Sequence, residues 1–308
     1  MTERLANNPL VEFAPDDGTG VPLAELKQHV LLFVESPPGP KTVRQVLELY
    51  FQTWGDPFVK YASTAFGSGS SEWADQARLR FITKELPRLR KHVDWGYSFS
   101  DGRKTDSWML MFHGYPPFTE SGKTSFYRFE FDWQVEAKRL KNFAIDLVDV
   151  VTCISGYVGF AFQGRPRSFA CSSFNQVFAW ARRYWGVEAQ DLDVTVNHMA
   201  EAFKCVNWIT IIGERLRQHN PGAVDLARSA AYAHESRSGG MLFQASDKPM
   251  LGDRNKREVL RGYVALAEAL KELQVKNHGA FGEGSGSRWT EESTNAWLRR
   301  FTEPENVI

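Results

Sequence analysis

The stretch FYRFEFDW, residues 126–133, restricts the fold more than any other segment of the chain. Successive side chains of a strand point in opposite directions, so Tyr127, Phe129, Phe131 and Trp133 share one face, and Arg128, Glu130 and Asp132 share the other. A helix would scatter the four aromatics around its circumference. Strict alternation predicts an antiparallel sheet with one packed side and one wet side. The same period recurs in VDWGYSF, where Val93, Trp95, Tyr97 and Phe99 alternate ahead of a turn at Asp101 and Gly102, and WMLMFH (Trp108 to His113) is read as a further strand.

Between these strands the period lengthens. HVLLFVES (His29 to Ser36) reads as a strand closed by Pro37 and Pro38, and TVRQVLELYFQTWG then places Val43, Val46, Leu47, Tyr50 and Phe51 on one helical stripe stopped by Gly55. A basic helical run follows from Glu72 to about Lys91, interrupted by Pro87. The second half gives a helix over roughly 135–151, the strand YVGFAFQG, and a helix in SFNQVFAWARRYWG. A helix near 196–203, the strand VNWITIIG, a short helix near 223–231, a strand and hairpin in MLFQASDKPMLGD and an amphipathic helix over 257–273 complete the body. Such interleaving predicts an α+β fold, with antiparallel or mixed sheets flanked by helices. Residues 1–28 read as a polar leader and 29–278 as the body. Residues 279–308 read as a flexible link, GAFGEGSGS, and a terminal helix docked through Trp289, Trp297, Leu298 and Phe301.

Two stretches invite comparison. TVRQVLELYFQTWG and SFNQVFAWARRYWG share Gln45/Gln176, Val46/Val177, Trp54/Trp185 and Gly55/Gly186 without a gap, and each follows a strand across a proline-containing turn. One reading is a unit used twice, dividing the body into halves at about 29–134 and 135–278 that pack as one pseudo-symmetric whole. The other is that any strand followed by an amphipathic helix looks like this.

Charge and composition exclude several functions. Thirty-seven basic residues balance thirty-seven acidic ones across 308 residues, so no global field draws the protein to nucleic acid or an anionic membrane. The N-terminus lacks the pattern of a secretory signal, and the apolar window Val150–Phe162 is shorter than the ~20 residues of a membrane span. Cys153, Cys171 and Cys205 stand far apart without CxxC spacing, as suits reduced thiols in a cytoplasmic protein.

Catalytic patterns are missing too. His29, His92, His113, His198, His219, His234 and His278 form no HxxxH, HxH or HExxH arrangement, and His198 with Cys205 is the nearest approach to a ligand pair. FGSGSS and FGEGSGS contain GxG but lack the context of a phosphate loop. No G-x-S-x-G elbow occurs, and Cys171 in FACSSF lacks a hydrolase signature. Arg78, Arg80, Lys84, Arg88, Arg90, Lys91 and His92 form the densest basic run, whose helical spacing spreads it over more than one face. The chain is therefore read as neither an enzyme nor a binder of a cofactor, metal, membrane or nucleic acid. What remains is a surplus of aromatics, some in loops beside arginine: Tyr115, Pro116, Pro117 and Phe118 in one, Arg165, Arg167 and Phe169 in another. Such mixtures are enriched at interface hot spots.

SGYVGFAF (Ser155 to Phe162), LDVTVNHMAEAFKCVNWITIIGERL (Leu192 to Leu216) and GYVALAEALKEL (Gly262 to Leu273), in that order, resemble the bacterial immunity-protein family associated with type VI secretion and VRR-NUC nuclease toxins. The resemblance runs from about the first strand to the terminal WLRRF. Its most specific parts are Gly156 and Gly159 and the block Val206, Asn207, Trp208, Thr210, Gly213. It implies a non-enzymatic cytoplasmic protein that binds and neutralises a co-encoded toxin, protecting the producing cell and its kin in bacterial competition. Gly156, Gly159, Asn207, Trp208 and Gly213 are expected to be architectural, the glycines allowing close backbone approach. Tyr115, Phe118, Arg165 and Arg167 are expected at the toxin interface, with Glu188, Asp191, Asp193 and Glu201 as an acidic patch facing a basic nuclease cleft. The alternatives are an enzyme whose groups meet only in three dimensions, or a nucleic-acid-binding adaptor.

Overall fold

The computed structural model describes residues 8–13, 20–63, 69–89, 93–102, 108–164 and 170–307. The described residues form a single sheet of β1 (Val11–Phe13), β2 (Pro22–Val34), β3 (Lys60–Ser63), β4 (Gly69–Glu72), β5 (Trp95–Ser100), β6 (Met109–Gly114), β7 (Ser125–Asp132), β8 (Cys153–Gly164), β9 (Glu188–Ala189), β10 (Ile209–Ile212), β11 (Ala233–Arg237) and β12 (Gly240–Gln244). The main path runs β11-β12-β10-β8-β2-β7-β6-β5-β3-β4, with β1 added to β2 and β9 to β8. Its pairings are antiparallel, except that β9 lies parallel to β8. Strands from residues 153 onward lie on one side of the β2–β8 seam and those up to residue 132 on the other. The chain order thus fills the sheet half by half, and a duplication with its boundary at 134/135 remains a proposal.

β2 carries the fold. It starts at Pro22, seven residues before the apolar run that marks it in the sequence, and all thirteen residues are buried. Its polar first half is tolerable in a central strand because most of its charged and donor groups find partners: Lys27 pairs with Glu25 at 3.1 Å, and Gln28 Nε2 donates to the carbonyls of Trp133 and Val135. Further along, Val30, Leu32 and Val34 enter one core, and Leu31 and Phe33 enter the other. A strand buried on both faces loses the alternation that would announce it.

The helices are α1 (Pro40–Trp54), α2 (Asp75–Arg80), α3 (Phe118–Ser121), α4 (Ala137–Val150), α5 (Ala170–Ala181), α6 (Leu192–Thr195), α7 (Glu214–His219), α8 (Pro221–Ala230), α9 (Arg261–Leu270) and α10 (Glu291–Leu298). The first core gathers the stripes of α1, α4, α8 and α9, as the period predicts. Tyr50 of α1 stacks on Phe58, Phe129 and Phe131 and meets Phe143 of α4 edge-on. The second core takes Val177 and Ala181 of α5 with Trp297 and Leu298 of α10. The two similar stretches of sequence therefore feed different cores.

Several expectations are corrected. The polar face of β7 is not wet: Glu130 and Asp132 are 3% and 9% exposed, and Arg128 contacts both Glu130 and Gln163. Charges can be covered there because opposite charges and amides meet. The basic run is not one helix, since β4 precedes α2, and α2 continues as a wider turn over Phe81–Glu85 and a tighter one over Leu86–Arg88. No helix covers 196–203; α6 ends at Thr195, and Phe203 instead exchanges backbone hydrogen bonds with Leu273 and Val275. The glycine-rich stretch after residue 278 is pinned rather than loose. Phe281 is 1% exposed against Trp289 and Trp297, and its N–H donates to Thr294 Oγ1.

Candidate partner-binding surface

The loop between β6 and β7 projects from the end of the sheet where β2 finishes and β8 begins. Pro116 and Pro117 stiffen its entry, α3 makes one turn, and Gly122 closes it in the left-handed region at φ 66°, donating to the Phe118 carbonyl at 2.7 Å. Ser121 Oγ donates to the Pro116 carbonyl at 2.9 Å. Thr124 N donates to the Val196 carbonyl at 2.9 Å, which ties the loop to the segment carrying Asp193 and Glu201.

Within that frame the two aromatics divide their tasks. Tyr115 is 8% exposed, stacks on His113 with centroids 4.1 Å apart, and lies under Lys123 Nζ at 5.2 Å. It anchors the loop. Burial pushes its hydroxyl up to about 12, and the carboxylates of Asp94 and Asp193 add to the effect. His113 Nε2 meets Asp94 Oδ1 at 2.6 Å; burial nevertheless lowers its pKa, outweighing the opposing influence of Asp94. Phe118 is 41% exposed and shares a small cleft with Glu35, Pro37, Pro116, Lys123 and Arg215. Arg215 bonds Glu201 at 3.0 Å on the surface.

The sequence-derived residues separate into three groups. Tyr115, Phe118, Asp193 and Glu201 come to one end of the sheet, where Asp193 and Glu201 are exposed. Glu188 does not join them: it is fully buried and pairs with Lys204 at 2.7 Å, because β9 turns it inward beside β8. Asp191 faces inward too and accepts from Gly282 N at 2.6 Å, with burial raising its pKa. Arg165 and Arg167 lie outside the described residues. Lys123, Arg215, Asp94 and Glu35 complete the surface and escaped the sequence reading, since they come from four separate segments and no spacing links them.

The architectural residues sit at the β8–β10 pairing. A Cβ at Gly156 would lie 2.5 Å from the Leu31 carbonyl oxygen, and one at Gly213 would lie 1.8 Å from that of Cys153. Gly159, at φ 153°, leaves room for Asn207, whose Oδ1 accepts from Trp208 N at 2.8 Å; Trp208 Nε1 donates to the Ser246 carbonyl at 2.8 Å.

Groups with shifted acidity lie mostly inside. His29 and His278 are fully buried, and burial holds both imidazoles well down, His278 to about 3. Cys153 and Cys205 are buried thiols pushed up to about 12 by burial. Among the described residues no three or more histidines, cysteines or carboxylates are placed to hold a metal ion, and no helix is long and apolar enough to cross a membrane. In the basic run Arg78 pairs with Asp56 and Arg80 with Glu85, while Arg90, Lys91 and His92 lie outside the described residues.

The family model described as type VI immunity for VRR-NUC, TsiV, matches residues 48–301. No curated protein matches the chain. Among solved structures, a Pseudomonas aeruginosa T6SS protein, PA0821, superposes with a TM-score of 0.76 at 18% identity, covering 93% of this chain and 86% of that one. At that identity the likeness shows a shared fold.

Proposed function

The chain belongs to the TsiV family, type VI immunity for VRR-NUC, and on that premise we propose that it binds a co-encoded VRR-NUC nuclease toxin in the cytoplasm and neutralises it without catalysis. The observation that carries the reading is Phe118, 41% exposed at a sheet end that also presents Glu35, Asp193 and Glu201. A nuclease must line its substrate cleft with positive charge to hold phosphates, so a protein that closes the cleft benefits from carboxylates around an apolar anchor. The proline-braced loop supports the reading, because a pre-ordered anchor loses little entropy on docking. Tight inhibition calls for an interface on the order of 1,600 Å² of buried surface, larger than this loop, so the neighbouring β2–β8 end joins it.

Co-expression with the adjacent toxin gene tests the proposal through pulldown and cell survival. Survival together with a stable one-to-one complex is the expected result. Expression of both proteins with neither rescue nor association refutes the pairing.

A further inference from the structure

A cleft of about 590 Å³ lies away from the Phe118 surface, between α5 and α10. Such a size is typical of small-ligand sites. Phe178 and the edges of Trp289 and Ala296 supply apolar surface, backed by the buried Trp297, with Trp289 meeting Phe178 and Trp297 edge-on at 5.0 and 6.0 Å. Rings locked in this way form a rigid wall that loses little entropy when a ligand packs on it.

Four charged side chains line the cleft, and three have local explanations. Arg299 is held by Glu303 at 3.1 Å and by the Lys276 carbonyl. Glu292 lies in the first turn of α10 and Glu305 in that of the turn Pro304–Asn306, where helix N-termini favour negative charge. Arg182 is different: it is exposed, its guanidinium lies 5.9 Å from the Phe178 ring, and among the described residues no carboxylate pairs with it. A guanidinium uncommitted at the mouth of an aromatic cleft suits bidentate capture of an anion attached to an apolar body.

We propose that the cleft between α5 and α10 binds a carboxylate carried on an aromatic or branched apolar group, with Arg182 holding the carboxylate and Phe178 and Trp289 holding the body. The chemistry is shared by free aromatic acids and by peptide C-termini ending in an apolar residue.

The test uses the full chain labelled with 5-fluorotryptophan, with the Trp289 fluorine signal assigned from W289F. It is titrated with N-acetyl-L-phenylalanine, the corresponding amide, and the peptide acetyl-Ala-Ala-Ala-Phe. The acid should shift the Trp289 signal saturably and bind at least about tenfold more tightly than the amide, a gap that a single charge-assisted contact can supply. Arg182→Gln, a surface change, should erase the gap. Tighter binding of the peptide than of the free acid assigns the site to protein C-termini, and the reverse assigns it to small acids. Equal affinity for acid and amide, a gap that survives Arg182→Gln, or no saturable shift overturns the proposal. No toxin is present, so failure here leaves the immunity reading intact.

Discussion

Glu188 and Lys204 meet at 2.7 Å with side chains 0% and 1% exposed, an ion pair wholly inside the second core. Cys205 Sγ donates to the same carboxylate at 3.1 Å, and Lys204 Nζ also donates to the Ala189 carbonyl. Buried pairs of this kind add little net stability, but a broken one leaves an uncompensated charge. Lys204→Met should therefore destabilise the protein by about 3–5 kcal/mol in urea denaturation. The double variant Glu188→Leu/Lys204→Met should recover most of that loss. Equal midpoints for the single variant and the wild type would show that the pair is not closed off from water.

Phe118 and the exposed carboxylates should affect toxin binding in different ways. Phe118→Ala is expected to weaken affinity by at least about 2 kcal/mol, mainly through faster dissociation, with an unchanged melting temperature. Asp193→Lys with Glu201→Lys should slow association and reduce its salt dependence. Surface plasmon resonance at two salt concentrations separates these effects. Unchanged kinetics in both variants would move the interface elsewhere.

The buried histidines set an acid limit on stability. His29 and His278 stay neutral in the fold because burial opposes their protonation, and Arg128 and Lys204 beside His29, and Lys204 beside His278, oppose it further. In the unfolded chain both titrate near pH 6.5, so the unfolded state binds more protons below that value. Their stabilising contribution is fully present above pH 6.5 and is lost as the pH falls, at up to about 1.4 kcal/mol per pH unit for each histidine. For His278 the loss ends near pH 3, the value to which its pKa is lowered. Urea titrations at pH 7.5, 5.5 and 4.5 should show this slope, and His278→Gln should make it shallower. Identical slopes would remove His278 as a source.

Gly213 tests the close approach of β8 and β10. A Cβ there would sit 1.8 Å from the Cys153 carbonyl oxygen, which belongs to the backbone and cannot swing aside. Gly213→Ala should cost about 2 kcal/mol or more through backbone displacement. Gly39→Ala, where a Cβ meets nothing within 4 Å, provides the control. Thermal melts that place both variants together would contradict this account.

The legible parts of the fold share a physical property: one face packed and one face free. The 3.6-residue stripes of α1 and α4 are of that type, and Val43, Val46, Leu47 and Tyr50 are buried as their spacing predicts. The early start of β2 escaped because Glu25, Lys27 and Gln28 read as solvent-facing, whereas Glu25 and Lys27 pair with each other along the strand and Gln28 reaches the carbonyls of Trp133 and Val135. The polar face of β7 was misread because Arg128 meets Glu130 on its own strand and Gln163 of β8, which covers these charges. At the surface, the proline-braced aromatic loop was visible as composition, but nothing local distinguished the anchor Tyr115 from the exposed Phe118.

The sequence by itself determined the α+β class, the antiparallel pairing of the aromatic strands and the family, because each is written in local periods and short motifs. Only the tertiary structure decided that both halves of the chain join one sheet along β2 and β8, and which charges face water. Glu188 and Glu201 are both carboxylates in the same stretch of chain, yet one is sealed against Lys204 and the other stands in solvent beside Arg215. The difference comes from partners sixteen and fourteen residues away, brought close by packing, and no local spacing encodes it.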